Sequence, residues 1–324
     1  MLNKIAVSII NFRTPELTQK CVLSVLQDME GIDGKIVIID NHSGDGSAEI
    51  IQAWIETLET ERIELIRSTI NSGFSGGHNQ VIAAYEAEFY LILNSDALLQ
   101  PGFLKSVIAT AEADPKAGLI TPILSYQDGI IQTSCFRFHS PGSEIIRSAK
   151  TGFVTRLFSK YHIDLGTGPV TKEIDWASFA CILVRADMCK AIGPMDEGYF
   201  LYFEDAEYCL RAKRAGWHIR QDAQAHAVHH RGGSGPVQKL VHNRKRLPAY
   251  YYSSRTRFFY QAYGYVGFWA ANLGWYIGRG LAIFRYLIGR PTEPMNAYEF
   301  YDIWINTLNP LGPSRAPEEV HEST

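Results

Sequence analysis

The segment Lys35-Ile-Val-Ile-Ile-Asp40 sets four β-branched residues in a row between two charges. A strand with one wet face alternates apolar and polar residues. An unbroken run is buried on both sides, as happens where helices cover both faces of a parallel sheet. Residues 4–10 and Phe89-Tyr-Leu-Ile-Leu93 have the same character, and a shorter strand is expected near Glu64 to Ser68. Helical spacing separates them. Thr14-Pro15 reads as an N-cap and first helical residue before a face of Leu17, Cys21, Val25 and Met29. Further helices are expected from about Ser47 to Leu58 and, after a glycine-rich loop over Asn71 to Asn79, up to about Ala87. This strand–helix alternation predicts an α/β fold with a mostly parallel, Rossmann-like central sheet flanked by helices. Asn11, Asp40 and Asp96 each end a predicted strand, and in open α/β sheets ligands gather outside the carboxyl ends of the strands. Singly each is a turn former; together they point to a site.

The 324 residues, 46% of them hydrophobic, suffice for one large core or two modest ones. Five scattered cysteines (Cys21, Cys135, Cys181, Cys189, Cys209) contain no CxxC pair, which argues against a disulfide framework or zinc knuckle and for a reducing compartment. No signal peptide is read at the N-terminus, where Met1-Leu-Asn-Lys4 runs straight into a strand.

Charge is uneven. The net is −3, yet between Asp222 and Glu293 there is no acidic residue and the segment carries +10. Its basic residues sit among aromatics, in Tyr250-Tyr-Tyr-Ser-Ser-Arg-Thr-Arg-Phe-Phe-Tyr260 and in 265–288, a composition suited to a membrane interface or to helices packed on a catalytic domain. No nucleic-acid module is recognisable. Asn272, Arg279 and Arg285 interrupt the apolar run, whereas a spanning helix wants roughly 20 mostly apolar residues.

The segment from Phe200 to Trp217 places Glu204 and Asp205 behind aromatic residues at the start of a helix that Gly216 ends. Carboxylates are favoured at a helix N-terminus without any catalytic role, so from spacing the pair reads equally as cap or as general base. A strand pair is expected over 118–134, turning at Asp128-Gly129. A long basic loop is expected from Arg137 to Gly168, then strands at 174–185 and 225–230.

Seven pieces in order, Ser8-Ile-Ile-Asn-Phe-Arg-Thr14, Val37 to Ser47, Asn71-Ser-Gly-Phe-Ser-Gly-Gly-His-Asn79, Leu93-Asn-Ser-Asp96, Trp176 to Arg185, Phe200 to Trp217 and His229-His-Arg-Gly-Gly-Ser234, resemble glycosyltransferase family 2, the GT-A fold, and its bacterial rhamnosyltransferase-like branch. The resemblance implies an inverting glycosyltransferase that moves a sugar, rhamnose among the candidates, from a dTDP- or UDP-linked donor to a lipid-linked or growing bacterial surface glycan. By similarity Asn11, Arg13 and Asp40 contact the nucleoside. Gly73, Phe74, Gly76 and Asn79 approach the donor, Asn94 and Asp96 form the DxD-like element, and Asp96 with His229 binds Mg²⁺ or Mn²⁺. Asp205 is the base; Trp176 and Glu204 serve the acceptor or support the base.

Two departures stand out against that pattern. Asn94-Ser95-Asp96 has one carboxylate where other members have two, and Phe179 stands where glycine is usual. The expected organisation is a catalytic domain over 1–235, with a nucleotide-sugar half to about 100 and an acceptor half beyond it. A basic aromatic helical extension over 236–309 and a flexible tail over 310–324 follow. The expected location is cytoplasmic, peripheral on the inner membrane, with an anionic membrane surface as a partner and no nucleic acid. The rival readings are a catalytically silent glycan-binding scaffold and a sugar nucleotidyltransferase. The latter would need a Gly-rich, basic phosphate signature after the first strand, where Asn11-Phe-Arg-Thr-Pro15 stands.

Overall fold

The computed structural model describes residues 2–230, 237–314 and 316. The elements in chain order are β1 (Asn3–Asn11), α1 (Pro15–Asp28), β2 (Gly34–Asp40), α2 (Ser47–Glu56), β3 (Ile63–Arg67), α3 (Gly73–Ala84), β4 (Ala87–Asn94), β5 (Ala97–Leu99), α4 (Phe103–Ala113), β6 (Ala117–Ser125) and β7 (Cys135–Phe136). There follow α5 (Pro141–Ala149), α6 (Gly152–Leu157), β8 (Trp176–Ala177), β9 (Cys181–Arg185), α7 (Ala186–Ile192), α8 (Glu204–Arg214), β10 (His218–His229), α9 (Val237–His242), α10 (Ala249–Leu287) and α11 (Glu299–Asp302). By internal contacts the chain forms two units: Met1–Phe136 with Asp164–Asp196 and Tyr208–Gly235, and Arg137–Ile163 with Glu197–Glu207 and Pro236–Thr324.

In the first unit the strand order is β3-β2-β1-β4-β9-β6-β10-β5. β3, β2, β1 and β4 are mutually parallel, β9 runs antiparallel to β4 and β6, and β10 lies parallel to β6. The unbroken apolar runs are buried as their composition requires: Ile36 to Ile39 and Leu91 to Leu93 have no exposed surface. Because β1, β2 and β4 are parallel, Asn11, Asp40 and Asn94 reach the same edge of the sheet. The five cysteines are all free and buried.

Three local expectations changed. Pro15 does open α1, but the Thr14 hydroxyl does not cap it; Asn11 Oδ1 accepts from the Thr14 and Thr18 donors instead, at 3.3 and 3.0 Å. The glycine-rich segment is helix from Gly73 onward, since Gly77 lets α3 press on β1; a Cβ there would stand 2.5 Å from Ile10. In place of the basic loop after Arg137 there are α5 and α6. Ser140 and Ser143 form a reciprocal capping box and Thr151 caps α6. These short polar signals outweigh the Pro and Gly content, and α5 packs along α10 within the second unit.

α10 is broken at Gly264 (φ 67°, ψ −171°), a conformation open to glycine, so it is two helices in series. Gly274 and Gly278 allow α5 to approach closely, because a Cβ on either would run into the backbone of Pro141 or Ile145. Among the described residues no helix is long and apolar enough to cross a membrane.

Candidate active site

At the carboxyl edge of the first unit's sheet, Asp40 is 5% exposed and held from three sides. Its Oδ1 accepts from Asn11 Nδ2 (2.7 Å) and Ser43 Oγ (2.6 Å), and its Oδ2 accepts from the Ser43 amide (3.1 Å). Ser43, three residues on, makes the tight turn that aims this carboxylate, and the Asp-x-x-Ser spacing was readable in the chain. Arg13 closes the same turn: its backbone N–H and Nε donate to Ser43 Oγ and O at 3.0 and 2.9 Å. Arg13 has φ 58°, strained for a side chain of its size.

A second polar group lies at the end of β4. β5 pairs antiparallel with β10 so that His229 faces Ala97, which brings His229 Nε2 to 3.3 Å from Asp96 Oδ1 and 3.4 Å from Asn94 Nδ2. The backbone N–H of His230 donates to Asp96 O (2.9 Å), fixing that register. Thr14 Oγ1 and Ser95 Oγ, 3.3 Å apart, link this group to the loop that carries Arg13. Asp96 and His229 are both buried. Among the described residues there is no gathering of three or more His, Cys, Asp or Glu side chains suited to a metal. The pair therefore offers one carboxylate and one imidazole, a set that Mg²⁺ or Mn²⁺ accepts when phosphate oxygens and water fill the remaining positions. Arg231 to Ser234 of the histidine motif lie outside the described residues.

The remaining expected donor residues serve α3. Gly73 has φ 69° at the helix start, and Asn41, bonded to Asn71 Oδ1 and Gly73 O, holds the entry. Phe74 meets the buried His78 ring edge to face at 4.4 Å. Burial lowers the His78 pKa to about 3, so it is a neutral core histidine bonded to Ser8. Asn79 exchanges two hydrogen bonds with the backbone of Met195, at 2.9 and 3.0 Å. Trp176 stacks on Phe136 at 4.2 Å across the small β7–β8 sheet, and Phe179 is buried near Tyr208.

Glu204 and Asp205 open α8, in the part of the chain counted with the second unit. Asp205 Oδ1 accepts from the Ala206 N–H at 2.8 Å, at the positive end of the helix. Glu204 is buried, and its Oε2 has no hydrogen-bond partner among the described residues. Burial, followed by the Asp205 charge, raises the Glu204 carboxyl well above the usual range. Environment therefore treats two adjacent acids differently, burial disfavouring the anion at Glu204 and a helix N-terminus favouring it at Asp205.

The residues just before the pair were not suspected from the sequence. Tyr202 and Phe203 have φ 71° and 69°, two side-chain-bearing residues in succession in the left-handed region. Each costs on the order of 1–3 kcal/mol and persists only where packing over-determines it. Here the Phe203 ring is pinned by His139 at 4.9 Å and Phe258 at 5.8 Å, and Tyr202 by Tyr251 at 5.6 Å. Nothing in the local sequence signals these contacts, because their partners come from distant segments.

Residues 6–166 match the family model described as Glycosyl transferase family 2. Over 277 residues the chain is 24% identical to N-acetylglucosaminyl-diphospho-decaprenol L-rhamnosyltransferase of Mycobacterium tuberculosis, covering 79% of this chain and 83% of that protein. It is 28% identical over 171 residues to rhamnosyltransferase WbbL of Escherichia coli K12, covering 50% of this chain and 63% of that protein. Among solved structures, the mannosyltransferase PcManGT of Pyrobaculum calidifontis superposes with a TM-score of 0.59 at 13% identity, covering 96% of this chain and 85% of that one. That likeness supports the fold, a mostly parallel GT-A sheet flanked by helices with a C-terminal helical part. A buried acid at the end of β2, an Asn-Ser-Asp element after β4 and this ordered match lead to one conclusion: the chain is a glycosyltransferase of family 2, similar to rhamnosyltransferases.

Proposed function

We propose that this enzyme transfers a sugar, rhamnose by the names of its relatives, from a nucleoside-diphosphate donor such as a dTDP-sugar to a lipid-linked or growing surface glycan with inversion at the anomeric carbon. The observation that carries the reading is the juxtaposition of Asp96, His229 and Asn94 at the end of β4. In this scheme Asp40, oriented by Asn11 and Ser43, holds the nucleoside with Arg13 beside it. A divalent cation, when bound by Asp96 and His229, neutralises the diphosphate leaving group; the mannosyltransferase neighbour was solved with GDP-Man and Mn²⁺. Asp205 takes the proton of the acceptor hydroxyl as its oxygen attacks the anomeric carbon and the nucleoside diphosphate departs from the opposite side.

The test is a donor screen that reads nucleoside diphosphate release with Mn²⁺ or Mg²⁺. Asp96→Ala is expected to raise the Mn²⁺ concentration needed for half-maximal release at least tenfold, since about 10–100-fold follows loss of much smaller contributions to metal sites. An unchanged requirement removes Asp96 from the metal site.

Membrane contact belongs to the same proposal. After Gly264, Val266, Trp269, Leu273, Ile277, Leu281, Phe284 and Leu287 are exposed at three- and four-residue spacings, so they share a helix face. Arg279 and Arg285 accompany them, within the stretch between Asp222 and Glu293 that has no acidic residue. Beside this helix lies an apolar groove of about 370 Å³ between α5 and α10, lined by Pro141, Ile145, Phe158, Leu273 and Ile277 among others. An interfacial helix of this kind suits a lipid-linked acceptor. The full chain is expected to float with vesicles containing anionic lipid, and the double variant Leu273→Asp, Phe284→Asp to stay in the dense fraction. Equal flotation of both argues for packing alone.

A further inference from the structure

We infer that Gln132 is a positioning residue that keeps the Nδ1 proton on His229 and so leaves the Nε2 lone pair turned toward Asp96. Gln132 is 5% exposed and lies 97 positions from His229 in sequence, on the segment that returns after β6. Its own backbone N–H donates to Leu124 O at 2.8 Å, fixing where the side chain starts. Its amide orientation is decided by its surroundings: Nε2 has two hydrogens to donate, and it faces two carbonyl oxygens, Ser125 O at 3.0 Å and His229 O at 2.7 Å. The remaining amide atom, Oε1, then faces His229 Nδ1 at 3.2 Å. A carbonyl oxygen only accepts, so the hydrogen of that bond belongs to Nδ1.

The consequence falls on the other ring nitrogen. In the neutral imidazole one nitrogen donates and the other accepts. With Nδ1–H held by Gln132, Nε2 is the acceptor. It stands 3.3 Å from Asp96 Oδ1, also an acceptor, and 3.4 Å from the Asn94 amide, which can donate to it. Two electron-rich atoms at this distance gain from a cation between them. Gln132 thus stands to His229 as the outer hydrogen-bond partner stands to a metal-bound histidine, fixing tautomer and ring orientation. Without Gln132, the proton moves to Nε2, where Asp96 Oδ1 accepts it, and the ligand position is blocked.

This inference extends the metal assignment proposed above, and its test separates the two. Full-length protein carrying ¹⁵N-labelled histidine, at alkaline pH where the ring is neutral and without metal, reports the tautomer by nitrogen shifts. The His229 signals are assigned by their loss in His229→Gln. Manganese binding is read separately by the decrease of the free Mn²⁺ electron-spin signal, without turnover. Wild type is expected to show the Nδ1–H form. Gln132→Met, which keeps the length and removes both donors and the acceptor, is expected to move the proton to Nε2 and weaken Mn²⁺ binding about 10–100-fold. The change of tautomer is a spectroscopic signature that a merely structural role would not move. An Nε2–H wild type overturns the inference, as does Gln132→Met with unchanged tautomer and unchanged Mn²⁺ binding. If Gln132→Met does not fold, the wild-type tautomer still decides. A wild type with Nδ1–H that binds no Mn²⁺ upholds the role of Gln132 and sinks the metal assignment.

Discussion

Asp205→Asn is expected to lower kcat by about 10²–10⁴ with KM for the donor little changed, the usual contribution of a positioned general base. Two neighbouring acids have unequal surroundings. Glu204 is buried, and burial, followed by the charge of Asp205, pushes its pKa well above the ordinary carboxylate range, which favours its protonated form. Asp205 is half-buried at the start of α8, where a backbone N–H and the helix dipole favour the anion. Of the two, Asp205 has the surroundings that suit an anion, the form a base needs. Glu204→Gln is a near isostere of a protonated glutamate, and is expected to keep activity within a few-fold. If Glu204→Gln lost as much as Asp205→Asn, both carboxyls would share the proton. If Asp205→Asn turned over at the wild-type rate with the true acceptor, the base would have to be sought elsewhere.

The second large effect concerns stability. Glu144, 2% exposed, accepts from Arg147 and Arg255 at 2.8 and 2.7 Å, and Arg255 is 1% exposed. Arg255 also donates to Asn272 Oδ1 at 2.7 Å, while Glu299 joins through Arg147 and the Trp275 indole. All these groups lie in the second unit. Glu144→Gln leaves the Arg255 guanidinium buried without its counter-charge, and one-sided removal from a buried pair costs about 3–5 kcal/mol. A fall in Tm on the order of 10 °C is expected by calorimetry. A shift under 2 °C, by a factor of several below that order, would mean that water or relaxation replaces the carboxylate.

The same network makes a pH prediction with a definite sign. Burial by itself would raise the Glu144 carboxyl; the two guanidiniums overcome it and hold its pKa down at about 2, against an ordinary value of 4.5. A carboxyl depressed in the folded state contributes stability above its unfolded pKa and loses it as pH falls toward the folded one. Wild type should therefore lose stability between pH 4.5 and about 2 through this group. Glu144→Gln has no such carboxyl, and its Tm should fall less over that interval. Parallel curves for the two proteins would show that other groups govern the acid limb.

How far the site was legible varies with how local its causes are. The buried strands announce themselves because Ile36 to Ile39 leave no polar face for water, and burial on both sides follows from that run alone. Asn11 and Asp40 could be placed at one edge because parallel strands end together. α8 is likewise local: acids open it, and Gly216 (φ 85°) ends it with its amide bonded to Lys213 O. The region after Arg137 was harder, since Ser140 and Thr151 as caps look the same in the sequence as serines and threonines of a loop. Glycine packing is hidden for a related reason: at Gly77, Gly274 and Gly278 the missing side chain serves close packing against a partner distant in sequence.

The sequence by itself determined the α/β alternation, the polar residues at the ends of β1, β2 and β4, the helix behind Glu204 and Asp205, and the family, because periodicity, strand ends and ordered motifs are properties of neighbours along the chain. Tertiary structure alone decided which carboxyl of the acidic pair is buried, which residue faces His229 Nδ1, and why Tyr202 and Phe203 hold left-handed backbone. Those outcomes depend on desolvation and on side chains brought together across tens to more than a hundred positions, and neither burial nor such a contact exists until the chain has folded.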